Sequence, residues 1–197
     1  MADLEFISSG LDFINLRAGI YADAFPLFLN EYPSSKAILL PNITPPISEG
    51  KFAFASRDEL GEGIAALLAK GLEAFPSVKP QTEKNILLLT GPKAESLVEL
   101  VDARNVGRGI NVPVKYLEPQ DWIDTCAQDD EGGKPRMWFE ARLGFLQGVC
   151  DGDAKTVDPA LETLLGRRPE TGMEAVERIV RADPGYTWHQ NHIAQKA

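Results

Sequence analysis

The sequence predicts an α/β domain built on a mostly parallel sheet. Three observations carry that expectation. Short β-forming runs alternate with segments of helical period from Leu11 to Trp122. Residues 85–90, NILLLT, form a continuous apolar run of the kind that parallel sheets bury on both faces. Beyond the acidic residues 129–133 the strand signals stop and only helical stretches follow.

Residues 11–17 read as a strand opening onto a loop at Ala18-Gly19. Ala24, Phe25, Phe28 and Leu29 recur at helical spacing, which predicts a helix over 21–30 that breaks near Tyr32-Pro33. Residues 41–50, with three prolines and a glycine, read as a surface loop. Residues 51–55 alternate like a half-buried strand. A helix follows with Ser56 or Asp58 as its cap, carries Leu60, Ile64, Leu67 and Leu68 on one face, and stops near Gly71. The strand at 85–90 leads through Gly91-Pro92 into a helix bearing Leu97, Leu100 and Val101. Residues 112–117 read as a further strand, and Pro119 opens a short helix. The acidic residues 129–133 read as a solvated loop. Helices are expected over 137–149, 159–165 and 172–181, and the last ten residues as a loosely held tail.

Composition narrows the function. A chain of 197 residues with 44% hydrophobic and 25% charged residues is ordinary for a soluble globular domain. A net charge of −9 without a basic cluster disfavours nucleic acid and anionic membrane as partners. Cys126 and Cys150 form neither a disulfide framework nor a metal pattern, so reduced thiols in a cytoplasmic setting are expected. The N-terminus lacks the basic and apolar regions of a secretory signal, and no run approaches a membrane span.

The order of motifs resembles the NmrA-like proteins, atypical relatives of the short-chain dehydrogenases. Residues 9–21, SGLDFINLRAGIY, are similar to that family's strand followed by an arginine-proline-glycine loop and an aromatic residue, with Ala18 standing where proline is usual. Residues 52–60, FAFASRDEL, resemble its strand, aspartate cap and helix. Residues 85–91, NILLLTG, resemble its later strand, and 158–169, DPALETLLGRRP, its C-terminal helices. The likeness runs through nearly the whole chain but matches only the second half of a typical member. No glycine-rich strand–turn–helix phosphate cradle is present. The resemblance therefore implies a partial, truncated Rossmann-like sheet over 1–135, a C-terminal helical substrate cap over 136–188 and a tail over 189–197. NAD(P)-dependent oxidoreductase chemistry is implied, with NAD(P) held only when a complementing half or partner is present, not autonomously. A sheet cut in this way exposes an edge, so a homodimer or a docked partner protein is expected.

Candidate site residues follow from the switch-point rule, by which open α/β sheets place ligands beyond the carboxyl ends of strands. Ala18, Gly19 and Ile20 form the loop that the resemblance sets beside a small, aromatic or quinone-like substrate. Tyr21 is the candidate donor to a carbonyl and Asp23 the candidate base; otherwise Tyr21 packs and Asp23 favours a helix N-terminus. Arg57 is a candidate clamp for a carboxylate or phenolate. Trp138 and Phe139, in the apolar stretch MWFEARLGFL (137–146), either floor an aromatic pocket or belong to a buried helix. Tyr32 and Lys36 have the Tyr-x-x-x-Lys spacing of a catalytic pair, but Pro33 and two serines between them favour a turn. His189 and His192 lack a third ligand, so no metal is expected. Three functions stay open: the substrate side of an oxidoreductase, a cofactor-independent isomerase or cyclase, and a non-enzymatic docking or regulatory module.

Overall fold

The computed structural model describes residues 13–80 and 85–189. Two parallel strand pairs organise it. Strand β1 (Asn15–Ala18) pairs with β3 (Ile86–Leu89), with Asn15 opposite Ile86 and Ala18 opposite Leu89. Strand β2 (Ile38–Pro41) pairs with β4 (Val114–Leu117), with Ile38 opposite Val114. The fold is thus α/β with short parallel sheets, a partial Rossmann-like arrangement. Residues 11 and 12 of the expected first strand lie outside the described residues.

Seven helices of five residues or more connect and cover the strands: α1 (Phe25–Leu29), α2 (Arg57–Lys70), α3 (Leu97–Arg108), α4 (Pro119–Asp129), α5 (Arg136–Asp151), α6 (Ala160–Leu165) and α7 (Gly172–Ala182), counted among the described residues. Helix α1 is shorter than its sequence period suggests. Residues Ala22–Ala24 form a 3-10 turn, and Asn30 closes the helix in the left-handed region at φ 47°. Helix α3 opens with a reciprocal cap. Ser96 Oγ accepts the Glu99 N–H at 3.2 Å, and Glu99 accepts the Ser96 N–H at 2.7 Å. Thr171 and Glu174 repeat the device at α7.

Residues 52–55 depart from the sequence expectation. They form no ladder strand but a crossing segment buried on both sides. Phe52 and Phe54 stack at 4.8 Å, while the small Ala53 and Ala55 let other backbone pass close by. Phe52 exchanges two backbone hydrogen bonds with Glu95, each 2.8 Å; Ala55 accepts from Ala22 and donates to Ile20. Gly91 crosses behind Phe54 so closely that a Cβ there would lie 1.6 Å from the Phe54 carbonyl oxygen. No other residue fits.

Two hydrophobic cores result. The larger one gathers Phe25, Phe52, Phe54, Leu100, Trp122, Phe139 and Val176. The smaller joins α2, β3 and α6 through Leu60, Leu67, Leu87, Leu161 and Leu164. The C-terminal helices are therefore shared between the cores: α6 packs in the smaller and α7 in the larger. Each core buries its apolar side chains at roughly 25 cal/mol per Å² of area removed from water, the main stabilising term in the chain.

The acidic turn after α4 is solvated at Asp129, Glu131 and Gly133, as expected, and anchored through the side chain of Asp130. Asp130 and Lys134 are buried, and both reach the phenol of Tyr32. Trp188, at the start of the expected tail, is also buried. No helix among the described residues is long and apolar enough to cross a membrane.

Candidate functional site

A cavity of about 420 Å³ opens at the carboxyl ends of β1 and β3. Ala18, Gly19 and Ile20 form one wall, and Leu88 and Thr90 continue it from β3. Gly144, Phe145, Gly148 and Val149 supply the opposite wall from one face of α5. Asp153, Ala154 and Thr156 edge the cavity beyond that helix. Local pairing fixes the walls. Gly19 N–H donates to Leu89 O at 2.6 Å, and Ala53 N–H donates to Ala154 O at 2.9 Å.

The lining is mostly apolar with a few polar atoms, the usual composition of a small-molecule site. Thr90 is buried, and its Oγ1 accepts the Asp158 N–H at 2.8 Å. That leaves the hydroxyl hydrogen to donate toward a ligand acceptor. Phe145 is 40% exposed, its ring stacked on Phe28 at 6.2 Å and tilted against Phe52 at 6.0 Å. Among the described residues, Asp153 is the only ionisable one in the lining.

Three of the residues expected from sequence, Ala18, Gly19 and Ile20, meet at this cavity. The others do not line it. Tyr21 is 37% exposed, one residue beyond the wall, and its backbone pairs with Ala55. Asp23 is buried, and its Oδ2 accepts the Arg57 N–H at 2.9 Å. It thereby caps α2 from outside the helix, the task expected of Ser56 or Asp58; Ser56 Oγ has no partner. The Arg57 guanidinium lies over the Trp188 ring at 5.5 Å. Tyr186 donates to the Asp23 backbone oxygen at 3.0 Å, so the C-terminal segment covers this cap. Phe139 is core, set edge-on to Trp122 at 5.9 Å, and Trp138 meets Phe139 edge-on at 4.9 Å. Both sit about two turns before Phe145 on α5, too far along the helix to share its wall.

The Tyr-x-x-x-Lys motif resolves differently from its spacing. Ser35 N–H bonds Tyr32 O at 3.0 Å in a turn, and Lys36 is exposed. Lys134 supplies the ammonium instead, 2.5 Å from the Tyr32 oxygen, and Asp130 accepts the phenol at 2.8 Å. Burial, then the Asp130 carboxylate, pushes the Tyr32 phenol above its ordinary value. A proton donor for catalysis near neutral pH needs the opposite shift. The pair is a buried anchor. Cys126 is buried nearby, and burial pushes its thiol up to about 12, so it stays protonated and unreactive. No cluster of metal-binding side chains occurs among the described residues. His192 lies outside them.

The sequence and the fold both have relatives. The chain is 35% identical over 182 residues to an NmrA-like family domain-containing oxidoreductase, flvB, of Aspergillus flavus, covering 92% of the chain and 54% of that protein. The chain is NmrA-like. It spans about half the length of the curated relative it matches, and no family model matches it. Among solved structures, the NmrA-like chain superposes on an NADPH-dependent quinone oxidoreductase of Escherichia coli complexed with NADPH, with TM-score 0.68 and 18% identity. That match covers 90% of the chain and 56% of the other. A nucleoside-diphosphate-sugar epimerase of Staphylococcus aureus gives TM-score 0.61 at 14% identity, covering 89% and 56%. A Citrobacter triphenylmethane reductase gives 0.60 at 18%, covering 84% and 52%. At these identities the structural matches establish the fold alone.

The described residues that line this cavity offer no positive charge to the phosphates of a dinucleotide. The cavity lining holds no cation and one carboxylate, the wrong sign for a pyrophosphate. The stretch 137–146, offered as a pocket floor, reaches the cavity through Gly144 and Phe145 rather than Trp138 and Phe139; Thr90, Gly148 and Asp153 were not anticipated from the sequence. The available signal was the four-residue spacing of Gly144 and Gly148, which leaves one helix face bare.

Proposed function

We propose that this chain is the substrate side of an NmrA-type oxidoreductase, and that its cavity takes a small planar aromatic or quinone-like compound. The observation that carries this is the apolar cavity at the ends of β1 and β3, with Phe145 as a ring surface and the Thr90 hydroxyl as a donor for a carbonyl oxygen. The names of the Aspergillus relative and of the quinone and dye reductases support an oxidoreductase setting. In this reading NAD(P) is bound only when a complementing half or partner supplies the phosphate cradle. The chain's own residues orient the ring and exclude water from one face of it. Tyr21, one residue beyond the wall, remains the candidate second donor to the carbonyl.

Calorimetric titration with 1,4-naphthoquinone and with NADPH tests both parts. The expected result is quinone binding weakened roughly tenfold by Thr90→Val, the scale of one hydrogen bond left unmade. NADPH is expected to bind only after the N-terminal half of the Aspergillus relative is added. Absence of quinone binding overturns the cavity reading, and tight NADPH binding by the chain alone overturns the need for a complement.

A docking role has its own support. Strand β1 has one strand neighbour, β3, among the described residues. Beside it, a groove of about 560 Å³ is lined by Ile14, Leu16, Leu67, Leu68 and Leu72. Leu68 is 80% exposed there. An open sheet edge beside exposed apolar side chains suits association with a second copy or a partner protein. The mass in solution at micromolar concentration decides it: a dimer supports the docking role and a monomer at every concentration argues against self-association.

A further inference from the structure

Gly148 and Asp153 form a unit. Asp153 N–H donates to Gly148 O at 3.0 Å, turning the chain back as α5 ends. The Asp153 carboxylate then lies on the bare surface of Gly148, where a Cβ would come within 2.9 Å of Oδ2. The backbone bond from Ala53 to Ala154 holds the following residue, so the carboxylate is kept at the cavity edge. Its oxygens form no ion pair or hydrogen bond with a side chain among the described residues. One turn earlier, a Cβ at Gly144 would meet nothing within 4 Å. The glycines therefore leave room beside the Phe145 ring, with the Asp153 carboxylate, exposed and not bonded to another side chain among the described residues, at the cavity edge.

Two cations are close in sequence, and neither lines the cavity. Arg142 lies 5.3 Å from the Phe145 ring and is buried, donating to the Phe28 backbone oxygen. Lys155 leans over Gly152. Neither is bonded to Asp153. An apolar slot with a ring surface and one free carboxylate is complementary to an aromatic group that carries a hydrogen-bond donor, above all an ammonium.

We infer that the cavity selects aromatic ligands carrying an amine, with Asp153 as the residue that recognises it. This rests on the reading of the cavity as a ligand site and names a feature of its substrate class. A carboxylate-bearing ring is disfavoured there, because no cation in the lining offsets repulsion by Asp153.

The test is calorimetric titration of the full chain with three compounds of one ring system: 1-naphthylmethylammonium, 1-naphthalenemethanol and 1-naphthoate. The ammonium should bind about fivefold more tightly than the alcohol, the upper range for one partly exposed charge pair. Naphthoate should bind most weakly. Asp153→Asn should bring the ammonium and the alcohol level. Gly148→Ala should do the same with the charge still present, because the new Cβ displaces the carboxylate. That variant separates Asp153 from the general attraction of a chain with net charge −9. Equal binding of ammonium and alcohol to the wild type, or a preference that survives both variants, overturns the inference and leaves the cavity reading standing. Binding of none of the three overturns both.

Discussion

Around Tyr32, Asp130 and Lys134 polar groups are buried with their partners in place; around Thr90 and Asp153 they are left open. In the first region a phenol, a carboxylate and an ammonium close on one another within 2.9 Å, with Lys134 also over the rings of Tyr32 and Trp138. In the second, a threonine has a proton to give and a carboxylate lacks a partner among the described residues, beside a space of about 420 Å³. The first has the residue types of a dehydrogenase catalytic pair and serves as an anchor. The second has few reactive groups and is, in the reading proposed above, the place where a ligand sits. A void edged by polar groups that the fold itself does not use is a better mark of a candidate site than the number of ionisable residues is.

Substitution can break that contrast from either side. The largest effect belongs to Asp130→Ala, which strands the buried Lys134 ammonium. Urea denaturation should show a loss of about 3–5 kcal/mol, with quinone binding intact in the folded protein. A loss below about 1 kcal/mol would remove the cluster from the list of structural anchors, since exposed pairs cost no more. Tyr32→Phe keeps the ring and removes one oxygen shared by Asp130, Lys134 and the Gly132 N–H. It should cost roughly 1–2 kcal/mol in the same measurement.

On the cavity side the signs reverse. Gly144→Leu fills open space and improves helix propensity, so stability should rise by about 0.5–1 kcal/mol. Naphthoquinone affinity should fall roughly tenfold, each tenfold step corresponding to about 1.4 kcal/mol. A variant that is stabilised yet binds normally would show that α5 does not wall the ligand site.

The smallest effect is a slope. Burial raises the Glu99 carboxyl, but hydrogen bonds from Lys51 and Ser96 outweigh it and hold the group at about 2, below its ordinary 4.5. The folded state therefore releases this proton more readily than the unfolded chain. The stabilisation is complete above pH 4.5 and drains as pH falls toward 2. Glu99→Gln should flatten the urea midpoint between those limits and leave the pH dependence above 5 unchanged, as a rough bound from the reference carboxylate value. An unaltered acid limb would mean that another carboxylate dominates it.

Local signals made much of the fold legible. The apolar run at 85–90 and the helix that follows it, the helix ending at Gly71, and the Ala18-Gly19-Ile20 loop were all visible as residue patterns. Strand β2 was not visible, because Ile38–Pro41 is short and runs into a proline-rich loop. Residues 52–55 carried a strand's alternation, yet their burial on both faces depends on Gly91, nearly forty positions away, making room at Phe54. Long-range partners hid the site as well. Asp23 looked like a base because its partner, the Arg57 N–H, is 34 positions off. Asp153 looked like an ordinary surface acid because nothing in the sequence shows that Gly148 lies beneath it.

The bond from Tyr186 to the Asp23 backbone spans 163 positions and joins the two ends of the described chain. A polypeptide emerging from the ribosome presents Asp23 well before Tyr186 and Trp188, so the cap on α2 stays uncovered until those two have been synthesised. The cover over this part of the first half is thus supplied from 163 positions further along the chain. A chain cut before Tyr186 loses both that bond and the Trp188 ring over Arg57, and leaves the Asp23 cap on α2 open.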